Sequence, residues 1–163
     1  MSNIYFDESI ILLDLKADTK DAVLTAMGKN LVELGLVKES FIDAVIAREE
    51  EFATGLPTGS VSVAIPHTDV EHVKKRAISL GVLKNPVAFG VMGEPEETTP
   101  VKLVFMLAMD KAHSQLSLLQ RLMQIFQDQE TLKYIANEEN KGNVKALLES
   151  KLDFAFEGGE NCE

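Results

Sequence analysis

Val101-Lys102-Leu103-Val104-Phe105-Met106-Leu107-Ala108-Met109 is almost continuously apolar. A strand with one wet face would alternate apolar and polar residues. This run instead predicts a strand buried on both faces, with helices above and below its sheet. Just beyond it, Ser114–Gln127 repeats Leu116, Leu119, Leu122, Met123 and Phe126 at helical spacing, which predicts an amphipathic helix. On its other side, Gly93–Pro100 reads as an acidic surface loop, Pro86–Phe89 as a short edge strand and Arg76–Leu83 as a further strand.

Further out, Ile10–Leu15 predicts a buried first strand. Asp18–Leu34 follows as a helix with Ala22, Val23, Met27, Leu31 and Leu34 on one face, and Gly35 is suited to stop it in the left-handed conformation. Ser40-Phe41-Ile42-Asp43 resembles a capping box that opens a second helix to about Glu51. Thr54–Gly59 has the chemistry of a loop. Val61-Ser62-Val63-Ala64-Ile65 is a strand ended by Pro66, which has no N–H for a ladder. Glu130–Ala136 and Gly142–Leu152 read as short helices. The order strand, two helices, three strands, three helices predicts a single-domain α/β fold, a three-layer α/β/α sandwich. Consecutive strands with no helix between them require antiparallel pairs, so the sheet is expected to be mixed. The expected domain spans residues 1–156, with residues 157–163 a flexible acidic tail and Met1–Asp7 also loose.

At 163 residues the chain is long enough to bury a core without a disulfide or metal staple. Its 16 basic and 26 acidic residues leave a formal net charge of −10, which argues against a nucleic-acid footprint or an anionic-lipid surface. There is no eighteen-residue apolar run and no basic-then-apolar leader, so the expectation is a cytoplasmic protein without membrane insertion. The single cysteine, Cys162, forms no internal disulfide and no Cys-rich metal site. Phosphate-loop, nucleophile-elbow and HExxH patterns are missing, so neither cofactor nor metal is expected.

The chemistry-bearing residues are the histidines and one arginine. His67 and His113 each follow a predicted buried strand, at the edge where open α/β sheets place their sites. Arg48, near the end of the second helix, precedes the loop leading to the His67 strand. A neutral imidazole is a good nitrogen nucleophile, and a guanidinium pairs bidentately with phosphoryl oxygens. Such a site carries out phosphoryl transfer with neither metal nor nucleotide if its donor is a phosphoprotein. Simpler readings stand beside this one. His67 can be a solvated loop residue, His113 a weak helix cap, His72 a surface residue, and Arg48 the partner of Glu51 or another nearby carboxylate.

Arg48-Glu49-Glu50-Glu51-Phe52-Ala53-Thr54-Gly55-Leu56, then Val63-Ala64-Ile65-Pro66-His67, then Val101–Ala108 and His113-x-x-Leu116-x-x-Leu119 together resemble a fructose/mannitol-type enzyme IIA. This is the phosphocarrier domain of the bacterial phosphoenolpyruvate-dependent sugar phosphotransferase system, and the resemblance runs from about Ile10 to Leu152. It implies that His67 takes a phosphoryl group from HPr on Nε2 and passes it to a cysteine of the cognate enzyme IIB, and thence to sugar at the membrane component IIC. It also implies that Arg48 is the family's arginine beside the phosphohistidine and His113 its second active-site histidine. Brief complexes of this kind imply small interfaces around an apolar rim at His67. Many members have glycine after the active histidine. Here Thr68-Asp69-Val70-Glu71-His72 follows, which is more similar to galactitol-type members. A regulatory phosphoprotein on the same fold and a non-catalytic interaction domain are the alternatives.

Overall fold

The computed structural model describes residues 3–6, 8–58, 61–109, 112–152 and 155–157. Along the chain these form β1 (Asn3–Tyr5), β2 (Ile11–Leu15), α1 (Lys20–Glu33), α2 (Ser40–Glu51), β3 (Gly55–Leu56), β4 (Ser62–Ala64), β5 (Ala77–Val91), β6 (Glu94–Ala108), α3 (Ala112–Phe126), α4 (Gln129–Asn137), α5 (Lys141–Leu152) and β7 (Ala155–Glu157). Single 3-10 turns cover Glu8–Ile10 and Val70–His72.

β5 and β6 form a long antiparallel hairpin around which the sheet is ordered β3-β4-β6-β5-β1-β7, with β2 also paired to β5. The pairs β4–β6, β2–β5, β1–β5 and β1–β7 are parallel and β3–β4 is antiparallel, so the sheet is mixed as expected. The hairpin register reveals the layers. Gly81 lies opposite Val104 and Leu80 opposite Phe105, so these neighbouring pairs point to opposite faces. A Cβ on Gly81 would sit 2.8 Å from the Met27 sulfur, which places α1 on one face. The Phe105 ring meets Phe126 of α3 at 5.4 Å between centroids on the other. Gly28 lets α2 lie close against α1, where a Cβ would meet Ile42 at 2.8 Å. Helices thus cover both faces, and the fold is the expected three-layer α/β/α sandwich.

Several local expectations are corrected. Gly93–Pro100 is not a loop: the chain reverses at Met92-Gly93, with Gly93 at φ +81°, and Glu94–Pro100 continues β6. Its glutamates are exposed, whereas Thr99 is buried opposite the fully buried Phe89 and hydrogen-bonds Ser62 through its hydroxyl. Acidic composition therefore concealed a strand. Pro86 belongs to β5 itself, at an irregularity in register between Val82 and Val87 that tolerates a residue without an N–H. Nor is all of Met1–Asp7 loose. Asn3–Tyr5 pairs with Ala155–Glu157, Tyr5 meets Ala77, and Phe6 is fully buried. Three-residue strands carry no readable periodicity. Glu157, assigned to the tail, is part of β7, and residues 158–163 lie outside the described residues.

The capping box at Ser40 is also corrected. α2 begins after Glu39, with no side-chain cap, and Ser40 Oγ instead bonds His72 Nδ1 at 2.8 Å. Thr19 caps α1 by accepting from the Ala22 N–H, and Gly35 terminates that segment at φ +76°. Gly55-Leu56, read as loop, forms β3 against Ala64 and Val63. Gly55 also meets β5 at Val91, so closely that a Cβ would lie 2.4 Å from the Gly90 carbonyl oxygen. Backbone cannot yield as a flexible side chain can. Gly55→Ala is therefore expected to lower stability by about 1–3 kcal/mol in urea unfolding, and an unchanged midpoint would contradict the close approach.

Candidate functional site

β4 runs beside β6, and both end at the same edge of the sheet. Pro66 stops the ladder by lacking an N–H, while its carbonyl accepts from the Leu107 N–H at 3.0 Å. The strand end is thereby tied to the hairpin, and the next residue, His67, is held half-buried at the mouth. His67 Nδ1 lies 2.8 Å from the Ile65 carbonyl oxygen. A carbonyl only accepts, so Nδ1 carries the proton and Nε2 of the neutral ring keeps its lone pair.

Arg48 reaches this edge from the last turn of α2. Its Nη1 lies 3.8 Å from Asp69 Oδ1, and its guanidinium stacks 5.1 Å from the Phe52 ring centroid. The ion pair is exposed and long, so it contributes at most about 1 kcal/mol, and an arriving anion can displace Asp69 at little cost. Burial pushes the His67 pKa below its ordinary value. The hydrogen bond to Ile65 opposes that shift, the Arg48 charge adds to it, and the Asp69 charge opposes it. The ring is therefore neutral at physiological pH, as a nucleophile requires.

Arg48 and His67 thus meet in one electrostatic environment. His113 falls in the first turn of α3, which the chain enters from the edge where β6 ends, but its side chain lies outside the described residues. His72 belongs elsewhere. It bonds Ser40 at the opposite end of α2, about 12 Å along the helix from Arg48, and its Nε2 lies 3.7 Å from Glu71. Arg48 pairs with Asp69, not with Glu51.

Glu49 was missed. It is 2% exposed, and both its oxygens accept from Thr54, Oε2 from the backbone N–H at 2.8 Å and Oε1 from the hydroxyl at 2.8 Å. Burial pushes its carboxyl up to about 7, against the lowering effect of the Thr54 bonds and of Lys20. A signal was present: Phe41, Val45 and Glu49 recur every four residues, which sets a carboxylate on the apolar stripe. Among the described residues, no group of three or more His, Cys, Asp or Glu gathers as metal ligands, and no helix is long and apolar enough to cross a membrane.

A phosphoryl-transfer component is the class that the comparisons define. Residues 4–151 match the family model described as Phosphoenolpyruvate-dependent sugar phosphotransferase system, EIIA 2, and the chain belongs to that family. The galactitol-specific EIIA component of the phosphotransferase system of Escherichia coli (strain K12) is 33% identical over 122 residues, which is 75% of this chain and 77% of that protein. IIA mannitol of Escherichia coli superposes with a TM-score of 0.71 at 24% identity, covering 89% of this chain and 99% of that one. The Escherichia coli complex of enzyme IIA with phosphorylated enzyme IIB for mannitol matches with a TM-score of 0.66 at 23% identity, over 92% of this chain and 98% of that one. These two structures bear on the fold alone.

The shifts at His67 and Glu49 act oppositely on stability. Below 6.5 the unfolded chain takes up a proton that folded His67 resists, so the His67 contribution is lost on acidification through its folded pKa. Between 4.5 and about 7 folded Glu49 holds a proton that the unfolded chain has released, so its contribution is lost as pH rises through that window. Ring NMR is expected to titrate His67 with a midpoint below 6.5. In urea unfolding, the deficit of Glu49→Gln relative to the parent is expected to be smaller at pH 8 than at pH 5. Equal deficits would mean that Glu49 is not perturbed by burial.

Proposed function

We propose that this chain is the IIA component of a sugar phosphotransferase system and that His67 Nε2 carries its phosphoryl group. The observation that carries this reading is the Nδ1–H bond to the Ile65 carbonyl, which leaves Nε2 as the free nucleophile beside Arg48. The lone pair of Nε2 attacks phosphorus as the P–N bond of phosphohistidine on HPr breaks, and the electron pair of that bond leaves on the HPr imidazole. Nδ1 keeps its proton throughout, and the Ile65 carbonyl dipole faces the positive charge that develops on the ring. Arg48 turns from Asp69 to the phosphoryl oxygens. In the second transfer a thiolate of the cognate enzyme IIB attacks phosphorus, the Nε2–P bond breaks, and the neutral imidazole is regenerated. The group then reaches sugar through the membrane component IIC, with this chain acting in the cytoplasm.

Docking is supported by apolar surface at the mouth. Phe52 is 55% exposed against Arg48, and Val70, beside Asp69, is 37% exposed. A galactitol-type sugar or related polyol is supported by the 33% identical relative and by Thr68 after His67. His113 is proposed as the second histidine of the site.

The test mixes the protein with phosphoenolpyruvate, enzyme I and HPr and records intact mass before and after brief acid treatment. One phosphate, stable in base and lost in acid, is expected in the parent and absent in His67→Gln. Arg48→Ala is expected to slow acceptance by about 10²-fold, and His113→Ala to slow it while leaving acceptance possible. No gain in the parent with active donors would overturn the reading. Gain without onward transfer to enzyme IIB would make the protein a regulatory phosphoprotein.

A further inference from the structure

Glu49 does not touch His67, yet an unbroken run of hydrogen bonds connects them. A carboxylate that is 2% exposed is costly unless its oxygens are satisfied, and here a single residue, Thr54, satisfies both. The Thr54 hydroxyl has one proton and donates it in a hydrogen bond to Glu49, whose Oε1 lies at 2.8 Å and Oε2 at 3.1 Å. Its oxygen is then free to accept, and it accepts the Ile65 N–H at 3.1 Å. The other polar group of Ile65, its carbonyl, receives His67 Nδ1–H at 2.8 Å. The segment between Ile65 and His67 is held once more by the Pro66 carbonyl on Leu107. Ile65 is thus pinned at both backbone ends, and the direction of its carbonyl is set from beneath the site.

We propose that Glu49 is a positioning residue for His67, acting through the Thr54 hydroxyl and the Ile65 backbone to hold the ring as its Nδ1–H tautomer with Nε2 presented outward. The carboxylate orients the hydroxyl as an acceptor toward Ile65. Without that orientation the hydroxyl can rotate, the Ile65 N–H loses its acceptor, and the carbonyl on the far side is no longer fixed. A ring released from that carbonyl can move its proton to Nε2, and Nε2–H has no lone pair to attack phosphorus. Lys20 and Glu50 are the charged groups felt by Glu49, and neither belongs to the run. The consequence for rate rests on the reading of His67 as phosphoryl acceptor. The consequence for the ring does not.

Two readouts separate these. Nitrogen-15 ring NMR of unphosphorylated protein at pH 8 reports the His67 tautomer, and rapid quench with phospho-HPr reports acceptance. The parent is expected to hold mainly Nδ1–H. Glu49→Gln and Thr54→Val are expected to raise the Nε2–H fraction and to lower the saturated rate about tenfold, with KM for phospho-HPr little changed. Thr54→Ser, which keeps the hydroxyl, is expected to recover most of the loss seen in Thr54→Val. The double variant Glu49→Gln/Thr54→Val is expected to lose no more than either alone, because both break one run. A tautomer ratio unmoved in both single variants would overturn the proposal, as would fully additive losses. If Glu49→Gln does not fold, the contrast between Val and Ser at Thr54 decides it. If the parent itself accepts no phosphate, the phosphocarrier reading fails and the ring spectra still decide the role of Glu49.

Discussion

The antiparallel pairing of β5 with β6 is the constraint on which the molecule hangs. β4 borders β6; β1, β2 and β3 border β5; and β7 is reached through β1. Gly81 and Phe105, neighbours in adjacent rungs of that hairpin, receive α1 on one face and α3 on the other. A one-residue slip of β6 against β5 would turn Phe105 to the α1 side while Gly81 still faced it, and α3 would lose the ring it packs against. Register is therefore specified by large and small side chains on two faces at once, which is stronger than the single wet-dry alternation of a surface sheet.

The site inherits its geometry from that hairpin. β4 has three residues and Pro66 denies it another ladder bond, so its end is held by the Pro66 carbonyl on Leu107 of β6. This positions His67 at an edge without embedding it. Enough burial remains to keep the imidazole neutral, while the residue as a whole stays only half-buried. Arg48 is held weakly, by an exposed carboxylate and an aromatic face. A guanidinium committed to a strong buried pair would be unavailable to a phosphoryl group, so weakness here suits the proposed chemistry.

Glu49 and Glu50 show how one helix turn divides its carboxylates. Glu50 is exposed and pairs with Lys20, which lowers its pKa. Glu49 faces inward, is satisfied by Thr54 and has its pKa raised by burial. Identical side chains in adjacent positions thus hold opposite electrostatic roles because the helix turns by about 100° per residue.

Layer order, the amphipathic helices, the proline-ended strand and the histidine after it were legible in the residues, because each is a local pattern of period, proline or apolar run. Arg48 and His67 were legible as candidates for the same reason. What only the tertiary structure decided is non-local. Glu94–Pro100 is a strand because Phe89 lies opposite Thr99, and Asn3–Tyr5 is one because Ala155–Glu157 lies beside it. Ser40 serves His72 and not its own helix. The His67 tautomer follows from a carbonyl two residues away, whose residue is held through Thr54 by a carboxylate on another element. Hydrogen-bond direction depends on which groups meet in space, and a pattern along the chain holds no record of that.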